Sequence, residues 1–249
     1  MKALALEFFK LRRKWILVMT TLFLGAEMFW AFMSISKSMA RNPDSTGWEA
    51  IIVTIASMNG LFLPIISAIV VSRICDMEHK GNTWKLLIST DVKRNHIYMA
   101  KYVCATTVLL YYIVLQTIAI AVYGIVVGIA SPLPPSLMIQ FIGGGIVTNF
   151  AIVALQQWVS LSIKNQAFAL SLGMVGGFMG MTSDLFPVIL RRIFIWSYYS
   201  GLSPVSYHFT NHSMEYVIQP MGAGALAIVL FMSIIFYFAG SFHVTRQEV

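Results

Sequence analysis

The chain has 249 residues, 58% of them hydrophobic and only 11% charged, with a formal net charge of +7. A soluble domain carries about a quarter charged residues, so this composition excludes an ordinary soluble enzyme and points into the bilayer. The positive excess does not indicate nucleic acid, because Lys and Arg gather at the ends of apolar runs rather than along one face.

In chain order, the first element is a basic segment, residues 1–14. Leu4, Phe8, Leu11 and Trp15 recur at helical spacing opposite Lys10, Arg12 and Arg13, which predicts an amphipathic helix lying on the membrane surface. A cleaved signal peptide is the competing reading. The charged segment is long, the apolar run continues past Ala26, and five more spans follow, so the surface helix is preferred. Six apolar stretches have the length needed to cross a bilayer: 15–36, 51–71, 102–130, 137–163, 168–183 and 221–242. Glu27 is the one charge inside a span. Ionisable residues at such depth are costly and are functional candidates by default. Its carboxylate would attract a cationic molecule, or it serves as a structural partner of Arg191, Arg192, Asn59, Gln116, Gln156 or Gln157, or it stays protonated.

Between the second and third spans lies the longest charged stretch, residues 77–96, "MEHKGNTWKLLISTDVKRNH". Gly81 and Asn82 break the preceding helix, and Thr83 can cap the next. Trp84, Leu87 and Ile88 then share one face of a short helix, with Lys85 turned away. A connector needs no apolar stripe, whereas a helix that docks in a groove on a soluble partner does. Cys75 and Cys104 flank this loop and offer no disulfide framework.

The fifth span is short. Gly173, Gly176, Gly177 and Gly180 give it two overlapping small-xxx-small pairs, which suit close helix contact, either with another copy or within the bundle. After it, Asp184, Pro187, Arg191, Arg192, Trp196, Tyr198 and Tyr199 argue against a further full span. Residues 185–199 are expected as a re-entrant or interface-lying helix with its aromatics at headgroup level, within an extracellular region 184–220.

Orientation follows from charge placement. With the N-terminus inside, thirteen Lys and Arg are cytoplasmic and four (Lys37, Arg41, Arg191, Arg192) are not, so both termini are expected inside. The reading is a single all-α integral membrane domain of six transmembrane helices, without repeats or linkers.

The order Glu78–x–x–Gly81–x–Thr83, Leu86–Leu87–x–Ser89–Thr90 and Lys101 resembles the first cytoplasmic loop of ABC-2-type permeases, the membrane subunits of ATP-binding-cassette exporters. The resemblance extends over the whole chain, with Asp91 departing from the family's usual Pro. It implies that Glu78, Gly81, Thr83, Trp84, Leu87 and Ile88 form a coupling helix that receives the motion of a separate ATPase, present in two copies. It further implies a second permease, identical or homologous, with the fifth span near the seam between them. The size, the Met and aromatic content and the start "LEFFKLRRK" are most similar to the permeases of lantibiotic immunity, which remove cationic antimicrobial peptides from a bacterial plasma membrane. Glu27, Trp196, Tyr198 and Tyr199 are the substrate candidates on that reading. Exporters of other amphipathic substrates (drug, lipid or glycan) and a non-transporting sensor or scaffold subunit are the alternatives.

No catalytic residues are expected. Gly143–Gly144–Gly145 lacks the Lys–Ser/Thr of a phosphate loop, so ATP and Mg are left to the partner and no cofactor is assigned to this chain. His208 and His212 stand four apart, but no carboxylate or Cys nearby completes a zinc set.

Overall fold

The structure is a computed structural model that describes residues 2–41, 47–81, 94–163, 165–209 and 214–246. Helix α1 (Lys2–Arg13) is followed by a two-residue turn and α2 (Ile16–Arg41). The turn hinges on Trp15, whose φ of 55° lies in the left-handed region that bulky side chains rarely adopt. Then come α3 (Trp48–Gly81), α4 (Arg94–Val127), α5 (Pro135–Ser162) and α6 (Gln166–Met181). Five of the nine helices described here, α2 to α5 and the last, α9 (Ala223–Arg246), are long and apolar enough to cross a membrane. Helix α6 has 16 residues. At 1.5 Å per residue it spans about 24 Å, short of a hydrocarbon core of about 30 Å.

Helix α3 is the axis of the bundle. Its apolar window is 67% buried, against 22% for α9. The reason lies in its sequence: Ala, Ser and Gly recur on several faces, so neighbours approach from all sides. Pro64 sits inside it and supplies no N–H for the Gly60 carbonyl one turn earlier. That part of α3 meets the glycine face of α6. A Cβ on Gly60 would lie 2.9 Å from the Gly180 carbonyl, and one on Gly177 would meet the Leu61 carbonyl at 2.5 Å. Gly173 faces Pro64 and Ala68 in the same way. Only glycine permits backbones this close. The four span-five glycines are thus engaged within the chain, Gly173, Gly177 and Gly180 by α3 and Gly176 by Trp196. The close contact expected of them is present within the chain.

Outside the bundle the structure replaces the single helix expected at 185–199 by shorter pieces and adds a small hairpin. Residues 185–199 do not form one helix. A 3-10 turn (Ser183–Leu185), α7 (Val188–Ile193), another 3-10 turn (Ile195–Ser197) and α8 (Tyr198–Gly201) follow in succession. Phe186 (ψ 150°) and Phe194 (ψ 113°) are extended and interrupt them, the first forced by the proline that follows. The chain is also not wholly helical: β1 (Val205–Phe209) pairs antiparallel with β2 (Met214–Ile218), Tyr207 opposite Tyr216. An isolated hairpin is marginal. This one is extended by the Gln219 N–H donating to the Pro204 carbonyl at 2.9 Å and is tied to α3 by the Tyr207–Thr54 hydroxyl pair at 3.2 Å.

Candidate functional site

Two polar centres are buried in this apolar bundle. The first lies at mid-span. Glu27 on α2 is fully buried and accepts a hydrogen bond from the Tyr112 hydroxyl on α4. One turn further along α4, Gln116 exchanges two hydrogen bonds with Asn59 of α3, at 2.8 and 3.0 Å. The Tyr199 hydroxyl of α8 donates to Asn149 of α5, and burial pushes that phenol well above its ordinary range, so it remains a donor. Together the three contacts hold five elements. Two atoms of this centre stay without a hydrogen-bond partner, Glu27 Oε1 and Asn149 Nδ2. Buried polar atoms of that kind are uncommon and mark a centre that is not fully satisfied. Among the described residues no cation pairs with Glu27.

The second centre lies at the end of the bundle where α3 finishes and α4 begins. Glu7 on α1 is 3% exposed and bonds Lys10 at 2.7 Å and Lys101 at 3.2 Å. Lys101, 0% exposed, also donates to the Ile74 carbonyl of α3 at 2.9 Å. One ammonium therefore joins α1, α3 and α4. Its position follows from periodicity, because Ile97, Cys104 and Val108 lie on the same buried face of α4. The ion pair also sets which way α1 turns. Glu7 and Leu11 face inward, while Phe8 is 37% and Trp15 71% exposed. Of the stripe Leu4, Phe8, Leu11 and Trp15 expected on the membrane surface, Leu11 turns into the bundle beside Glu7, and Phe8 and Trp15 stay exposed.

Of the sequence-derived substrate residues, Trp196 is half-buried and the other three are buried. Glu27 is sealed in the bundle, and Tyr198 and Tyr199 are buried. Trp196 fills the notch at Gly176. The broken backbone at 186–197 turns the rings of Tyr198 and Tyr199 inward. The hydroxyls do the anchoring, with Tyr198 donating to the Arg192 carbonyl at 2.8 Å. Of the predicted structural partners, Gln116 and Asn59 bond each other, Gln156 and Gln157 reach the Ala169 and Tyr98 carbonyls, and Arg191 pairs with Asp184 at 3.1 Å. Of the coupling residues, Glu78 and Gly81 fall in the last turn of α3, while Thr83, Trp84, Leu87 and Ile88 lie outside the described residues. His208 is in β1 and His212 lies outside the described residues.

The sequence profile of the ABC-2 family transporter proteins matches residues 3–180, well over half of the chain. The chain belongs to that family. It is the membrane component of an ABC transporter, and the matched region takes in α1 through most of α6, both polar centres included but for Tyr199. A comparison with curated proteins gives no match.

Proposed function

We propose that this ABC-2 protein is the permease subunit of an ATP-driven exporter that expels a cationic, amphipathic antimicrobial peptide from the bacterial plasma membrane. Six spans, counting the short α6, put both termini in the cytoplasm. Two ATPase subunits supply hydrolysis and hold ATP and Mg, and a second permease, identical or homologous, completes the path. The observation that carries the reading is the buried triple junction of Glu7, Lys101 and the Ile74 carbonyl. It braces α1 against the two helix ends from which loop 77–96 emerges. Motion delivered to that loop by a docked ATPase then reaches three helices at once. The excess of Lys and Arg at this end of the bundle supports a cytoplasmic placement.

Trp84 and Leu87 are assigned the docking contact. Removing two buried side chains of this size forfeits roughly 1.5–3 kcal/mol each. The Trp84→Ala/Leu87→Ala permease should therefore recover little ATPase in pull-downs and confer little resistance. Undiminished recovery and resistance would refute the docking role. The substrate is tested by comparing peptide retained on cells with the wild-type complex, an ATPase-dead complex and no complex. The wild type should retain least, and equal retention in all three removes peptide expulsion from its functions.

A further inference from the structure

A groove of about 460 Å³ runs along the outside of α2, beside the end of α3. Its wall is apolar: Trp15, Met19, Leu22, Phe23 and Ala26 recur at helical spacing along one stripe. Its mouth is cationic, with Lys14 from the turn before α2 and Arg73 from α3 both lining it and no acidic residue among the lining side chains. From Trp15 to Ala26 the stripe rises about 16 Å at 1.5 Å per residue, close to half of a hydrocarbon core of about 30 Å. The groove is thus as deep as one leaflet. Two elements that the sequence keeps apart build the cationic end. The left-handed Trp15 swings Lys14 off the axis of α2, and α3 extends past the apolar window to present Arg73.

From this we infer that the groove is a binding site for one anionic phospholipid, its phosphate between Lys14 and Arg73 and an acyl chain along Trp15 to Ala26. Charge complementarity names the headgroup and the depth of the stripe names the chain. Two adjacent cations near a membrane surface favour an anionic lipid by about fivefold each. The lipid would lie against the joint between α1 and α2, and α1 is the helix that Glu7 fixes to Lys101. Only the assignment to the inner leaflet rests on the topology proposed above.

The test uses the full chain reconstituted in bilayers of equal phosphatidylglycerol and phosphatidylcholine, extracted gently, with the co-purified lipid quantified. Wild-type protein should retain phosphatidylglycerol about 25-fold over phosphatidylcholine. Lys14→Gln/Arg73→Gln should bring the ratio near one, and Ala26→Trp, which fills the inner end of the groove, should lower the total retained. Arg12→Gln/Arg13→Gln removes the same charge beside the groove rather than in it and should leave the ratio largely intact. Thermal unfolding of each variant separates lost binding from lost fold. No preference in the wild type, or equal loss in the control pair, overturns the site. So does a photocrosslink from position 22 to a second copy of the chain, which would mean that protein covers the groove. No ATPase takes part, so failure here leaves the exporter reading standing.

Discussion

Glu7 and Glu27 are both buried carboxyl groups in the same chain, 3% and 0% exposed, and the fold treats them differently. Glu7, at the end of the bundle, is given two ammonium groups and becomes the centre of an ion cluster. Glu27, at mid-span, is given a phenol and stands beside an amide pair. Depth accounts for the contrast. Near the end of a bundle a Lys stem can bring its charge in from the polar side and keep its head paired. At mid-span every added ion carries its full desolvation cost, so neutral donors are the cheaper partners. The end of this permease is held by charge and its middle by hydrogen bonds.

The largest effect should come from breaking the ion cluster. Lys101→Met leaves Glu7 with Lys10 alone and releases the Ile74 carbonyl, and uncompensated buried charges cost about 3–5 kcal/mol. Thermal unfolding in detergent should fall well below wild type, and Glu7→Gln added to Lys101→Met should restore most of the loss. If the pair unfolds as early as the single variant, the cluster is not held by charge. At mid-span the loss should be smaller: Tyr112→Phe removes the hydroxyl that donates to Glu27 and should cost about 1–3 kcal/mol by the same measurement. An effect as large as that of Lys101→Met would erase the contrast drawn between the two centres. Smallest is the coupling of Asn59 with Gln116. A double-mutant cycle to Ala at both sites should give an interaction of about 1 kcal/mol. Strictly additive losses would mean that the amides are not partners in the membrane.

The spans were legible because length and apolarity suffice to identify them, but their ends were not. Helix α3 runs on to Gly81 and α4 starts at Arg94, since a helix need not stop where its apolar window does. Glu27 stood out as a lone charge, yet its partner did not: Tyr112 was one more aromatic in an apolar run until the fold turned its hydroxyl inward. The glycine stripe of α6 announced a close contact, and only the tertiary structure could say that α3 makes it. Glu7 was hidden because it shares α1 with exposed charges such as Arg12 and Arg13, and nothing in the pattern sets it apart. The hairpin did leave a signal, the alternation of Val205, Tyr207 and Phe209 with Ser206 and His208, which has the period of a strand. It went unread beside the much stronger patterning of the spans.

The meeting of Gly60 with Gly180 also limits how the protein can move. Where two backbones touch with no side chains between them, there are no rotamers to rearrange and no cushion to compress. Sliding one past the other would drive a carbonyl into the opposing chain. Helices α3 and α6, with Trp196 wedged at Gly176, therefore travel as one rigid plate, and the hairpin fastened to Thr54 rides with them. Any opening of the bundle has to run along its softer joints. The Tyr112–Glu27 contact between α2 and α4 is one. A passage through this permease would have one fixed wall and one moving wall, and the lone mid-span carboxyl sits on the wall that moves.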